Sequence, residues 1–218
     1  MGDTMKINFK IFISLITTFF LFATLPTNAE TVKSDNVHVR TWNKFADDVL
    51  ALHKRIQKKK KLGKTTNTGG YFGNPNFYNE EIYTDTSNGK LVTRLQWERE
   101  NPDKMHSIEV FIHDKKGRVI RDYAAAYLPS YRNAPTQTLV SFHAYNGNLA
   151  AYRTFDASGD RIGERCVGKL KGQDVNFLLD EDEIMHALDG DSDRMEQPDY
   201  KACFKGLPQE AGKYLKPQ

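Results

Sequence analysis

The fold of this chain is decided by the stretch FDASGDRIGERC at residues 155–166, together with two other stretches that repeat its first half. In TDTSNGKLV (84–92), HDKKGRVI (113–120) and FDASGDRI (155–162), an aspartate and a glycine are separated by two or three residues. Aspartate at the start of a type I turn accepts hydrogen bonds from its own backbone, and glycine then adopts the left-handed conformation of a bulged hairpin. Each stretch therefore predicts a hairpin turn, which explains Asp156 and Gly159 better than a cation-binding loop does.

These turns divide the middle of the chain into short extended segments. AYNGNLA (144–150) adds an Asn-Gly turn of the two-residue hairpin kind. Between the turns, apolar and polar residues alternate as in a half-buried strand, most clearly in LVTRLQWERE (91–100). Consecutive strands joined by short turns form an antiparallel meander. The predicted strands lie near residues 80–85, 90–98, 107–113, 118–127, 138–145, 149–155, 161–167 and 174–179.

An amphipathic helix is predicted before the meander, in the stretch TWNKFADDVLALHKRIQ (41–57). Its apolar residues recur at steps of three and four, which places them on one face of a helix, and Thr41 is a suitable N-cap. Those residues are Trp42, Phe45, Val49, Leu52 and Ile56. The next segment, 66–79, is rich in Gly, Asn and aromatic residues without a period, and is predicted to be a loop.

A short acidic helix and a tail follow the meander. In LLDEDEIMHALDG (178–190), Asp180 is a suitable N-cap, acidic residues fill the first turn, and Gly190 ends the helix. The tail, 191–218, has no clear period. The only two cysteines, Cys166 and Cys203, predict a disulfide that ties this tail to a strand, the alternative being two buried thiols. The predicted fold class is therefore α+β, with an N-terminal amphipathic helix packed on an antiparallel meander of seven or eight strands.

The first residues are typical of a signal peptide. A basic start from Met5 leads into IFISLITTFFLFATL, an uncharged run of about 15 residues that is shorter than the ~20 a membrane helix needs. Small residues at 27–29 suit cleavage near Ala29, and the alternative is an uncleaved anchor. We expect a periplasmic or secreted protein with no transmembrane segment after cleavage. The predicted organisation is a leader (1–29), a helix with a basic end (30–65), a loop (66–79) and the meander with its tail (80–218).

Composition indicates a soluble globular chain and excludes few functions. Charged residues make up 27%, but the formal net charge is only +3. The strongest basic run is Lys58, Lys59, Lys60 and Lys61, which could contact an anionic surface or an acidic envelope protein. Its alternatives are a solvated face, or docking onto the acidic residues 180–193. Nucleic-acid binding is not predicted, because the run lacks interleaved aromatics and the chain lacks a nucleic-acid motif.

Motifs for metal, nucleophilic or phosphate chemistry are absent from the sequence. The six histidines have no metal-binding spacing, and there is no G-x-S-x-G motif or glycine-rich phosphate loop. We therefore predict no cofactor. Asp189, Asp191 and Asp193 are similar to the start of a calcium loop, but Arg194 and Tyr200 replace the glycine and glutamate of an EF-hand. The alternative is an acidic helix exit in solvent.

Two other groups of residues are candidates for ligand contact. If the strand registers align, one sheet face carries a polar and aromatic patch that could hold a ligand, or a carboxyl pair such as Glu98 and Glu109 for hydrolysis. The alternative is the solvated face of an antiparallel sheet. The patch comprises Arg94, Gln96, Glu98, Glu109, Phe111, His113, Arg121, His143 and Tyr145. The second group, in the predicted loop, could form the lip of a ligand site or cap the core. It comprises Tyr71, Phe72, Phe77 and Tyr78.

These features favour a binding protein over an enzyme. We expect an exported, non-catalytic binding or accessory protein of a bacterial-type cell envelope, with an envelope protein or an anionic surface as its partner. One alternative is a secreted carboxylate-dependent hydrolase that acts on envelope polysaccharide. Another is a calcium-stabilised structural module.

Overall fold

The computed structural model describes residues 36–128 and 134–218, and the predicted signal peptide lies outside these ranges. Helix α1 (Val37–Lys59) precedes nine strands, and helices α2 (Glu181–Leu188) and α3 (Pro198–Cys203) follow them. The strands are β1 (Leu62–Tyr71), β2 (Asn74–Asp85), β3 (Leu91–Glu98), β4 (Met105–His113), β5 (Val119–Ala126), β6 (Gln137–Asn146), β7 (Leu149–Asp156), β8 (Arg161–Leu170) and β9 (Gln173–Asp180).

The nine strands form one antiparallel sheet in which each strand pairs with the next in the chain. The predicted α+β meander is confirmed, with nine strands in place of seven or eight. At the β7–β8 turn, Asp156 Oδ1 accepts hydrogen bonds from the N–H groups of Ser158, Gly159 and Asp160 at 2.8, 2.8 and 2.9 Å. Gly159 has a φ of 99°, in the left-handed region. The stretch FDASGDRI is therefore a hairpin turn, as predicted.

The predicted loop at 66–79 is wrong, because these residues belong to the β1–β2 hairpin. Residues 64–68 of β1 are exposed to solvent in unbroken succession, so no face of the strand needs apolar side chains and no alternation marks it. A Cβ at Gly70 would lie 2.0 Å from the carbonyl oxygen of Asn74, so the two strands approach too closely there for any other residue.

Helix α1 begins at Val37, four residues before Thr41, which was the predicted N-cap. Asn36 is its N-cap, and its side chain accepts a hydrogen bond from the N–H of His38 at 2.8 Å. The hydroxyl of Thr41 instead donates to the carbonyl of Val37 within the helix. The predicted apolar stripe is correct in its centre, since Phe45, Val49 and Leu52 are buried and the helix contacts β4, β5 and β6.

The C-terminal segment is more regular than predicted. Helix α2 has the predicted Asp180 cap, in a capping box with Glu183. After it, α3 and two 3-10 turns at Arg194–Glu196 and Gly212–Leu215 replace the expected irregular tail. Tyr200 and Cys203 of α3 are buried, and the predicted disulfide joins Cys203 to Cys166 of β8. The disulfide thus holds α3 against the sheet.

The sheet has two faces of different character. The face covered by α1 and α3, here called the inner face, carries buried residues such as Val110, Tyr123 and Val140. The opposite or outer face carries Arg94, Glu109 and other polar residues, since alternate residues of a strand point to opposite sides. Within the described ranges, no helix has both the length and the hydropathy needed to cross a membrane.

Candidate binding groove on the outer face

A groove of about 260 Å³ lies on the outer face, across β3, β4, β5 and the start of β6. Its polar walls include Arg94, Gln96, Ser107, Glu109 and Gln137. The side chains of Tyr71, from the end of β1, and His106, from β4, also line it. The groove therefore unites part of the predicted polar face with part of the predicted aromatic segment.

Strand register brings Arg94 and Glu109 together. The two residues are direct cross-strand partners on β3 and β4, and Arg94 Nη1 lies 3.0 Å from Glu109 Oε2. On its other side, Arg94 Nε lies 3.4 Å from Oε1 of Glu80 on β2. One guanidinium group therefore bridges two carboxylates, and the three side chains together carry a single negative charge.

A chain of hydrogen bonds extends this pair along the groove. Gln96 Nε2 donates to Glu80 Oε1 at 2.9 Å, and Ser107 Oγ donates to Gln96 Oε1 at 2.7 Å. Each bond restrains a side chain that would otherwise rotate freely in solvent. The polar wall is thus held in one orientation before any ligand arrives, which reduces the entropy lost on binding.

The floor of the groove is made by two alanines of β5. Ala124 and Ala126 pair with Glu109 and Ser107 on one side, and Ala126 pairs with Gln137 on the other. Because an alanine side chain is a single methyl group, β5 forms a depression between the longer side chains of its neighbours. This floor was not predicted, although the run AAA at 124–126 was a signal for it.

His106 enters the groove at a β-bulge. The register of β3 and β4 shifts between Gln96 and Trp97, which leaves His106 without a partner on β3. Bulges redirect side chains, and this one places the His106 ring against Tyr71, Phe77 and Tyr78, with centroids 5.6, 5.1 and 5.7 Å away. The position of the bulge depends on strand register, and the sequence offered no signal for it.

Of the two ring nitrogens of the buried His106 side chain, one forms a hydrogen bond and the other forms none of good geometry. The side chain is only 4% exposed, and its Nε2 forms a hydrogen bond with the hydroxyl of Tyr71. Its Nδ1 is also fully buried and forms no well-aligned hydrogen bond among the described residues, although the Tyr127 backbone lies close enough to interact with the ring. Burial lowers the pKa of His106 below its ordinary value. The ring is therefore neutral at neutral pH and can donate or accept one further hydrogen bond.

The predicted aromatic segment is divided between the groove and solvent. Tyr71 lines the groove, while Phe77 and Tyr78 surround His106. Phe72, at the tip of the hairpin, is fully exposed. Tyr71 thus forms a lip of the groove, whereas Phe77 and Tyr78 pack around His106.

Glu98 lies apart from the groove. It is buried, accepts a hydrogen bond from Asn101, and pairs with Tyr78 on β2. Because Glu98 is four residues along β3 from the partner of Glu109, the two acids are separated by roughly 13 Å along the strands. Carboxyl pairs of glycoside hydrolases are about 5–9.5 Å apart. The predicted Glu98 and Glu109 pair therefore lacks the spacing for that chemistry.

The placement of Arg121 in the predicted patch is wrong. Arg121 is on the inner face with Tyr123, because the two residues are separated by two positions on one strand. Its guanidinium lies 4.2 Å from the ring of Tyr214 and donates to the backbone carbonyl of Gln218 at 3.0 Å. Arg121 therefore secures the C-terminal residues to the sheet.

The remaining patch residues lie beyond the groove. On the outer face, Nε2 of His143 is 2.5 Å from Oδ2 of Asp122. The hydroxyl of Ser141, two residues from His143, bonds instead to the Thr154 hydroxyl at 3.1 Å, so these residues do not form a Ser-His-Asp arrangement. Phe111 is the cross-strand partner of Asp122, His113 follows a register shift near the β4–β5 turn, and Tyr145 donates to the carbonyl of Val119.

The basic run points into solvent, with one exception. Lys60 Nζ lies 2.8 Å from Asp85 Oδ2, and this contact holds the pKa of Asp85 below its usual range. The other three lysines, Lys58, Lys59 and Lys61, are exposed. Among the described ion pairs, none joins the run to residues 180–193, so the alternative of docking between these segments is not seen.

The structure does not gather the three aspartates of the candidate calcium loop. Asp189, Asp191 and Asp193 are all exposed, and Asp193 accepts a hydrogen bond from Gln197 at 2.9 Å. Within residues 36–128 and 134–218, no three His, Cys, Asp or Glu side chains are arranged to hold a metal ion. Calcium binding at these residues has no structural support in the described part of the chain.

A larger cavity, of about 650 Å³, lies between α1 and the C-terminal residues. Phe45, Ala157 and Leu215 contribute apolar surface, and Lys44, Lys213 and Lys216 contribute exposed cations. Unlike the groove, which His106 lines, this cavity is not lined by any residue with a buried polar side-chain atom that lacks a partner in the described residues. The outer-face groove is therefore the better candidate for a specific site.

Comparison of the chain with protein-family models, with curated proteins and with solved structures gave no match. The chain is an α+β protein with a polar, concave groove on the outer face of its sheet. Function is therefore inferred from the geometry of these residues.

Proposed function

We propose that the protein is an exported, non-catalytic binding protein of a bacterial-type cell envelope, and that its ligand binds in the outer-face groove. The observation that carries this proposal is the bulge at His106, which brings the aromatic lip and the polar wall together. Concave sites with a few convergent polar groups are the usual form of small-molecule sites. A solvated sheet face has no need of such a concavity.

Two features support recognition over catalysis at this site. The carboxylates of Glu80 and Glu109 both contact Arg94, so neither is poised alone as an acid or base. The hydrogen-bond partner of His106 Nε2 is the hydroxyl of Tyr71, whose pKa burial raises, so this hydroxyl is a poor source of a nucleophilic oxyanion. The polar groups of the groove thus hold one another in place, as expected for a preorganised binding site.

Export is supported by the chemistry of the cysteines and by the leader. Disulfides persist in oxidising compartments, and the only two cysteines of the chain form one. The leader sequence at 1–29 is the second, independent indication. Whether the mature protein stays in the periplasm or leaves the cell does not affect the proposed site.

Native mass spectrometry of the full-length chain, expressed with its own leader and exposed to an envelope extract, tests this proposal. Ala124→Leu fills the floor of the groove, and Ala150→Leu, at a half-buried outer-face position on β7, is the matched control. We expect a processed, oxidised protein with added mass in the wild type and in Ala150→Leu, and no added mass in Ala124→Leu. Absence of a bound species from the wild type, or its retention by Ala124→Leu, would contradict the proposal.

A further inference from the structure

We propose that the groove binds one ring of a neutral saccharide; this rests on the proposed function, since it names the ligand class of the same site. The inference depends on four properties of the described groove residues: their charge balance, their mixture of donors and acceptors, the shape of the floor, and the unpartnered nitrogen of His106.

The charge balance disfavours an anionic ligand. Arg94 is the only cationic side chain that lines the described part of the groove, and it already contacts the carboxylates of Glu109 and Glu80. An incoming phosphate or carboxylate would have to displace one of these acids and would be repelled by the other. Sites for such anions instead present an uncompensated arginine or a cluster of backbone N–H groups.

The hydrogen-bonding groups match a ligand rich in hydroxyls. A hydroxyl group is both a donor and an acceptor, so a row of them needs both kinds of partner. The groove supplies guanidinium donors from Arg94, carboxylate acceptors from Glu109, and groups of both kinds from Gln96, Ser107 and Gln137. A saccharide ring presents several such hydroxyls around one small body.

The size and floor of the groove fit a single ring. Its volume of about 260 Å³ is just below the range of about 300–1,000 Å³ that is usual for drug-sized ligands. The methyl groups of Ala124 and Ala126 and the ring of Tyr71 supply apolar surface inside a polar wall. A saccharide ring has this same division, with C–H groups on its faces and hydroxyls at its edge.

His106 provides an observation that is independent of the wall. Four buried polar side-chain atoms lack a partner among the described residues, and only Nδ1 of His106 belongs to a residue that lines the groove. Buried polar atoms are almost always paired, so a ligand hydroxyl at Nδ1 would complete the hydrogen bonds of the ring. Tyr71 holds Nε2, which fixes the orientation of the His106 ring beside the groove.

Titration of the mature, oxidised chain by NMR and calorimetry tests this inference. The saccharide probes are maltotriose, cellotriose, mannotriose and the trimer of N-acetylglucosamine. The other probes are inorganic phosphate, trialanine and vesicles of phosphatidylglycerol. We expect at least one trisaccharide to bind and to shift the amide signals of residues 106–109 and 124–126, with no such shifts from the other probes.

Substitutions at His106 distinguish the role of Nδ1 from simple packing. The amide of asparagine lies where Nδ1 lies, while that of glutamine reaches the position of Nε2. His106→Asn should keep the affinity within about threefold, and His106→Gln should weaken it about tenfold, as for one lost hydrogen bond. Should both variants misfold, Ala124→Leu still tests the site, because it abolishes binding if the ring lies on the alanine floor.

The outcomes separate this inference from the proposed function. If phosphate, trialanine or lipid shifts the groove amides and no trisaccharide does, the saccharide inference is overturned while a binding function stands. If no probe binds and the envelope extract leaves no mass on the wild type, both are overturned. Saccharide binding that Ala124→Leu leaves intact would overturn the assignment to this groove.

Discussion

Two arginine–glutamate clusters lie on opposite faces of the same sheet. On the outer face, Arg94 contacts Glu109 with both side chains about 40% exposed, at 42% and 39%. On the inner face, Arg153 contacts Glu164 with the two side chains 1% and 0% exposed, and Arg161 lies 2.6 Å from the same carboxylate. The chemical groups are alike, but the outer cluster is partly exposed to solvent and the inner cluster is buried.

The inner cluster is closed by its other partners. Tyr200 of α3 donates to Glu164 Oε2 at 2.7 Å, and Arg153 Nη1 donates to the carbonyl of Pro208 at 2.7 Å. These bonds fasten α3 and the segment after it to β7 and β8. Burial therefore distinguishes the two clusters: the inner cluster holds the C-terminal segment in place, and the outer cluster is accessible to solvent, as the proposed binding function requires.

Removal of the inner carboxylate should have the largest effect. Glu164→Gln leaves two arginines buried without a counter-charge, and breaking a buried ion pair costs about 3–5 kcal/mol of unfolding free energy. Urea unfolding measures this loss. The matched outer variant, Glu109→Gln, should cost about 1 kcal/mol or less. Equal losses in the two variants would erase the proposed difference between the faces.

Removal of the disulfide comes next. The bond closes a loop with a sequence separation of 37 residues, and the double variant Cys166→Ala/Cys203→Ala should lose about 2–4 kcal/mol. The same urea experiment reports it. Because Cys203 follows Tyr200 on α3, this variant and Glu164→Gln should lose less together than the sum of their separate losses. Strict additivity would show that the cluster and the disulfide hold α3 independently.

Acid should destabilise the inner face through His53. Burial lowers the pKa of this histidine, whose Nδ1 bonds to the Thr93 hydroxyl at 3.0 Å. The unfolded chain, with an ordinary histidine pKa of about 6.5, then binds the proton more readily than the folded chain. The contribution of His53 to the free energy of unfolding is therefore fully present above pH 6.5. It is lost as the pH drops from there towards the lower pKa of the folded state.

Unfolding curves across this pH range, for wild type and His53→Gln, measure the contribution of His53. We expect the variant to lose less stability on acidification, with a remaining slope because burial also lowers the pKa of His106 and His113. His186→Gln, at an exposed position of α2, is the control. A slope unchanged by His53→Gln would mean that other groups cause the acid sensitivity.

The smallest change in stability is expected from Arg94→Lys. Lysine keeps the charge but cannot present the planar fork of guanidinium, so saccharide affinity should fall by about tenfold. The free energy of unfolding should change by about 0.5 kcal/mol or less, because the site is partly exposed. Arg153→Lys, the inner counterpart, should be clearly destabilised by loss of its bonds to Pro208 and Tyr200. Comparable stability losses at both positions would contradict the comparison.

Most of the sheet could be predicted because one of its faces is buried. Strands β3 to β9 combine alternation with the turns at Asp85, Asp114 and Asp156, and each of these aspartates accepts the predicted backbone hydrogen bonds. Strand β1 escaped prediction because neither of its faces packs on a core. Helix α2 was predicted from its cap, whereas α3 and the two 3-10 turns escaped because they are too short for a period to become visible.

The groove could be predicted only in part. Period two placed Arg94 and Glu109 on the correct face, and their register then joined them. His106 was missed because a bulge breaks the period at that residue, and Arg121 was misassigned because the patch was drawn across strands whose alignment was unknown. The floor could not be predicted from chemically active groups, because the depression is made by the methyl groups of alanines.

The strict order of the sheet has a consequence for folding kinetics. Because every strand pairs with its successor, the strand pairings are local in sequence, which favours rapid formation of the individual hairpins. We expect each hairpin to form as soon as its second strand is available, so that the sheet grows from β1 towards β9. The docking of α1 onto β4–β6, the contacts of the C-terminal segment with the sheet and the closure by Cys203 join distant residues, and these steps should set the rate at which the native state appears.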